Sequence, residues 1–118
     1  MERPGPQLSS ERGRITIAPG VIAQIVAQTT ARCYGVVGMA GRAWPGGRFL
    51  PRRGTPGITV ASNGGGVALE LSVVVEHGLN LAEVAATIHS QVQYEVERLT
   101  GLQVASVDVH IQDVRQSA

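Results

Sequence analysis

At 118 residues and a formal net charge of +1, the chain is sized for one compact domain that buries roughly two-thirds of its unfolded surface. That charge excludes a polyanion binder that works through overall charge. A single cysteine excludes an internal disulfide, and no apolar run reaches the ~20 residues of a membrane-spanning helix.

The aromatic residues are few, Tyr34, Trp44, Phe49 and Tyr94, so the core must be aliphatic. Charge is unevenly placed. Arg42, Arg48, Arg52 and Arg53 stand without an acid between Cys33 and Leu69, whereas from Glu70 onward acids outnumber Arg98 and Arg115. Residues 1–13 are polar and rich in Pro, Gly and Ser, a composition that predicts a disordered N-terminal tail ahead of a single domain over residues 14–115. The tail lacks the apolar core of a signal peptide, which predicts a cytoplasmic protein.

Arg14 to Ile17 alternates like a short strand, and Pro19 suits a first helical position because it has no N–H to leave unpaired. The helix that follows carries Val21, Ile22, Ile25, Val26 and Thr29 on one stripe and ends by Gly35. Tyr34 to Met39 reads as a strand. Residues 40–57 are rich in Gly and Pro and form a long loop. Ile58 to Ala61 and Val67 to Glu76 make a hairpin about Asn63-Gly64-Gly65-Gly66, residues that accept the positive φ of a tight turn. In its second strand Val67, Leu69, Leu71, Val73 and Val75 face one way, and Glu70, Ser72 and Glu76 face the other.

A second helix has a well-marked start, with Asn80 as N-cap, Glu83 three residues on, and Leu79 with Val84 as a staple across the cap. Its expected stripe is Leu81, Val84, Ala85, Ile88, Val92, Val96 and Leu99, and Gly101 takes the left-handed terminal position. A final strand, Val104 to Gln112, turns Val107, Val109 and Ile111 inward and Ser106, Asp108, His110 and Gln112 outward. The order β-α-β-β-β-α-β predicts an α+β two-layer sandwich, two helices packed on one face of a mainly antiparallel sheet.

Several features invite a chemical reading. His77, His89 and His110 show no HxxxH or HxH spacing that would bring metal ligands together. Ser106, Asp108 and His110 share a strand face, but residues in a row ~7 Å apart do not converge as a triad must. Cys33 has only Arg32 nearby to favour a thiolate, so it reads as a core residue at a helix end. Gly64-Gly65-Gly66 lacks the GK[ST] of a phosphate loop. Gly35-Val36-Val37-Gly38 spells a KH-type GxxG, yet its centre is apolar. These residues therefore predict no enzyme, no cofactor and no metal.

The loop is chemically richer. Arg42, Trp44, Arg48, Phe49, Arg52 and Arg53 combine guanidinium groups with two rings, a set suited to stacking on bases or contacting phosphates. A nucleic-acid-binding module is the alternative reading that rests on it. The wet sheet face, with Glu70, Glu76, Asp108 and His110, is the other candidate interaction surface.

Gly13-Arg14-Ile15-Thr16-Ile17-Ala18-Pro19-Gly20-Val21-Ile22, Gly35-Val36 and Leu71-Ser72-Val73-Val74-Val75-Glu76-His77-Gly78 together resemble the bacterial alkaline-shock-protein family. The end of the chain resembles it too, through Ile88-His89-Ser90-Gln91-Val92, Leu99-Thr100-Gly101-Leu102-Gln103-Val104 and Val107-Asp108-Val109-His110-Ile111. The resemblance spans Gly13 to Val114. It implies a non-catalytic protein of the cell-envelope stress response that self-associates as a homo-oligomer and docks to a membrane-anchored protein partner. Such a protein would be peripheral at the inner face of the membrane.

Overall fold

The computed structural model describes residues 7–10, 13–39, 57–63 and 66–116. Within them the chain runs β1 (Gln7–Ser10), β2 (Gly13–Thr16), α1 (Pro19–Ala31), β3 (Val36–Met39), β4 (Ile58–Asn63), β5 (Gly66–Glu76), α2 (Leu81–Thr100) and β6 (Gln103–Arg115). Two helices and a mainly antiparallel sheet make this an α+β fold.

The main sheet is organised around β5. On one side β4 pairs antiparallel with the first half of β5, from Ile58 opposite Leu71 to Asn63 opposite Gly66. β3 pairs antiparallel with the second half, from Val36 opposite Val75 to Met39 opposite Val73. The two strands therefore lie end to end as one interrupted neighbour. On the other side β6 runs parallel to β5 along its whole length, from Gly66 opposite Gln103 to Glu76 opposite Arg115. A parallel neighbour requires a crossover, and α2 supplies it.

Side chains follow from this pairing. Val67, Leu69, Leu71, Val73 and Val75 are all buried on the helix side, where they meet Ile22 and Val26 of α1 and Val84, Ile88, Val92 and Val96 of α2 in one cluster. α2 packs over β6, α1 over β3 and β4, and the helices touch each other.

The stripes differ in detail from their sequence expectation. In α2 the buried row is Val84, Ile88, Val92, Val96 and Thr100, while Leu81 is 41% and Leu99 54% exposed. A row in steps of four turns by about 40° per step on a helix of 3.6 residues per turn. The buried direction therefore winds along the helix, over a sheet that itself twists, and the two terminal leucines fall off it. In α1, Ala23 and Thr30 are buried, Ile25 is partly buried against the core, and Val21 is exposed.

A further difference concerns the N-terminal end of the fold. Gln7–Ser10, where composition predicts a loose tail, forms β1 and pairs antiparallel with β2 in a separate ribbon. The register runs from Gln7 opposite Thr16 to Ser10 opposite Gly13, and the pairing completes backbone hydrogen bonds that a lone strand would leave open. Residues 40–56 of the expected loop, and Gly64-Gly65 of the expected turn, lie outside the described residues.

The α2 boundaries are set by local chemistry. Asn80 Oδ1 accepts from the Glu83 amide at 3.0 Å, which satisfies one of the unpaired donors of the first turn. At the other end Gly101 has φ 77°, and its N–H donates to Glu97 O at 2.9 Å. The buried Thr100 hydroxyl donates to Val96 O at 2.6 Å and accepts from Leu102 N at 3.0 Å. Glu97 Oε2 accepts from Val104 N at 3.1 Å. The helix is thus tied to the first residues of β6.

Asn80→Ala should lower unfolding free energy by about 1 kcal/mol, read as a lower urea midpoint with an unchanged slope. Gly66→Ala should cost more, about 1–3 kcal/mol, because a Cβ there would lie 2.5 Å from the Gln103 carbonyl oxygen. Main chain can yield there only by separating β5 from β6. Equal midpoints for the two variants would contradict this ordering.

Candidate interaction surface

The sheet face turned away from the helices is polar. From β5 it carries Ala68, Glu70, Ser72, Val74 and Glu76, and from β6 Ser106, Asp108, His110, Asp113 and Arg115, placed opposite them in register. β4 adds Thr59, opposite Glu70, and Ala61, opposite Ala68. Glu70, Asp108, His110 and Asp113 are exposed, whereas Glu76 is partly covered and Val74 is buried.

Glu70 and Asp108 stand directly opposite each other, an arrangement of like charges that weakens a strand pair. His110 offsets it. Its Nε2 lies 2.9 Å from Glu70 Oε2, diagonally across the two strands. Both side chains are about half exposed, so the pair contributes well under 1 kcal/mol. Its main effect is to fix where the carboxylate sits.

Four of the sequence candidates meet on this face: Glu70, Glu76, Asp108 and His110. The other six, Arg42, Trp44, Arg48, Phe49, Arg52 and Arg53, lie outside the described residues. Asp113 belongs to the face and escapes a reading by simple alternation. β6 carries two register shifts against β5, one between Val104 and Ser106 and one between Ile111 and Asp113. The second moves Asp113, instead of Gln112, opposite Val74. An insertion of this kind leaves no mark in an apolar/polar pattern.

The remaining chemical candidates stay apart. His77 follows β5, His89 is exposed on α2, and His110 is on β6. Among the described residues no group of three or more His, Cys, Asp or Glu side chains is placed to hold a metal ion. An open groove of about 230 Å³ runs between the end of α1 and the middle of α2, lined by Thr29, Arg32, Cys33, Tyr34, Thr87, Gln91 and Glu95. Cys33 itself is buried, and its thiol donates to Thr29 O at 3.5 Å. Burial pushes its pKa above the ordinary value, the opposite of what a nucleophilic thiolate requires. Among the described residues no helix is long and apolar enough to cross a membrane.

The match to known proteins covers almost the whole fold. The model of the alkaline shock protein 23 family, described as having a cell envelope-related function, matches residues 7–116. The chain belongs to this family, the one its motifs resemble. It is 31% identical over 113 residues to YloU, an uncharacterized protein of Bacillus subtilis strain 168, covering 92% of this chain and 94% of YloU. It is 27% identical to Spy1614, an uncharacterized protein of Streptococcus pyogenes serotype M6, over 92% of this chain and 93% of that one. Among solved structures, MamM CTD D249N in its zinc form shares the fold, with a TM-score of 0.51 at 16% identity over 82% of this chain and 86% of that one.

The surroundings of Cys33 have a measurable consequence. Raising a thiol pKa lowers the thiolate fraction at any pH below it. At pH 7.5, Cys33 should react with iodoacetamide more slowly than the cysteine of an unstructured peptide. Its rate should still climb at pH values where the peptide has levelled off. A rate equal to the peptide's at pH 7.5 would contradict the buried placement.

Proposed function

We propose that this protein is a non-catalytic docking protein of the cell-envelope stress response, which self-associates and binds a membrane-anchored protein partner at the inner face of the membrane. The observation that carries this reading is the division of the sheet. One face is filled by the aliphatic stripes of α1 and α2, and the other presents Glu70, Asp108, His110 and Asp113 to solvent on a rigid strand pair. A charged face held by buried strands suits a protein contact, where exposed charges steer association and fix register.

Family membership supports the envelope setting. The charge distribution supports self-association, because the acidic half of one copy complements the Arg-rich stretch of another. Contacts of that type weaken as salt screens them.

The test is binding to three surfaces: native bacterial membranes, the same membranes after protease shaving, and protein-free lipid vesicles. The reading expects binding to the first alone, reduced several-fold by Glu70→Arg combined with Asp113→Arg. Equal binding to bare vesicles, or none to native membranes, would overturn the membrane-protein partner. In parallel, the sedimentation coefficient of the purified protein should rise with concentration and fall back in high salt.

A further inference from the structure

β6 has β5 on one side and, among the described residues, no strand on the other. At 13 residues it is about twice the length of an average strand. An unpaired edge presents a row of main-chain donors and acceptors that another strand can complete.

The pairing shows which groups point outward. Ser72 N donates to Gly57 O and Glu76 N to Gly35 O, each at 2.8 Å, so the even-numbered residues of β5 turn their main chain toward β3 and β4. The odd-numbered residues turn theirs toward β6. In a parallel pair, each of these bonds to the residues just before and just after its register partner, so the partner itself points away. Those partners are Val104, Val107, Val109, Ile111 and Val114. The two outermost amides are already occupied, Val104 N by Glu97 Oε2 at 3.1 Å and Val114 N by Asp113 Oδ1 at 2.9 Å. Among the described residues Val107, Val109 and Ile111 remain, spaced symmetrically about Val109.

We propose that this edge joins two copies of the chain, β6 to β6, in an antiparallel pairing centred on Val109. Val109 then faces its own counterpart, and Val107 faces Ile111 of the second copy, each pair exchanging two N–H···O=C bonds. On the helix side the facing residues are all Val or Ile. Val109 and Ile111 are only partly buried against the core, and Val114 is 38% exposed, so a second copy covers apolar surface that one copy leaves open. On the wet side Asp108 meets His110 of the second copy, twice over by symmetry. His110 already engages Glu70 through Nε2, so its other ring nitrogen is the one turned to that carboxylate, and both nitrogens donate only when the ring is an imidazolium. A one-residue slip would set the apolar row of one copy against the polar row of the other, so the register is specified. Such a contact is self-complementary and closes as a dimer.

This inference rests on the self-association proposed above and adds a second contact to it, one of main chain and apolar side chains that salt does not screen, so high salt should return larger assemblies to this dimer. Val109→Pro removes the N–H at the symmetry axis, and because that N–H points away from β5 the substitution is compatible with the β5–β6 ladder. It should weaken dimerisation, measured by sedimentation velocity, by about tenfold or more, with the circular dichroism spectrum retained. Val109→Cys combined with Cys33→Ser should yield a covalent dimer on oxidation, while Thr59→Cys combined with Cys33→Ser should stay monomeric. The crosslink decides the matter if the proline variant fails to fold. A concentration-dependent dimer that Val109→Pro leaves intact and Val109→Cys does not trap overturns this edge while leaving self-association standing. A wild-type protein that sediments as a monomer throughout removes both.

Discussion

Everything in this fold hangs on β5, a strand that is hydrogen-bonded on both sides and covered on its helix face. Its inner row, Val67 to Val75, lies in one buried cluster with side chains of both helices, while α2 packs chiefly over β6 and α1 over β3 and β4. Fully burying one such side chain is worth about 1.5–3 kcal/mol, a large fraction of the 5–15 kcal/mol that typically separates a folded domain from its unfolded chain. β3, β4 and β6 have no sheet neighbour other than β5 among the described residues. Disturb β5 and the sheet has no second centre.

That arrangement separates an apolar side of the sheet from a charged one. Among the described residues the core is aliphatic and fills one side of the sheet through many medium-sized side chains. On the opposite side the cross-strand pair of His110 with Glu70 is half exposed and adds well under 1 kcal/mol. The bonds at the end of α2, from Thr100 and Glu97 to Leu102 and Val104, set β6 in register with β5 and so decide which side chains reach that face.

What the sequence reveals divides along the same line. α2 can be read almost whole, from Asn80 to Gly101, because its ends are fixed by local capping chemistry. The inner row of β5 is equally legible through its period of two, and the β4–β5 hairpin through its glycines. Pairing between distant segments is not. That β3 and β4 share one side of β5, and that β6 runs parallel on the other, depends on contacts with no local signature. The shifts at Ala105 and Gln112 are equally silent, and they bring Asp113 onto the charged face. Leu81 and Leu99 look like core in a helical wheel and are exposed because the buried row winds. The placement of Glu70, Asp108 and His110 on the wet side follows from alternation alone, whereas the contact between His110 and Glu70 requires the parallel register. The six loop candidates between Arg42 and Arg53 rest on composition only.

Amide hydrogen exchange on the monomeric protein at low concentration tests the central role of β5 most directly. Leu69, Leu71 and Val73 are predicted to exchange among the slowest amides in the chain, through global unfolding. Val107, Val109 and Ile111 on the open edge of β6 should exchange orders of magnitude faster. β5 amides exchanging as fast as those of the β6 edge would contradict the claim that the fold is built on β5.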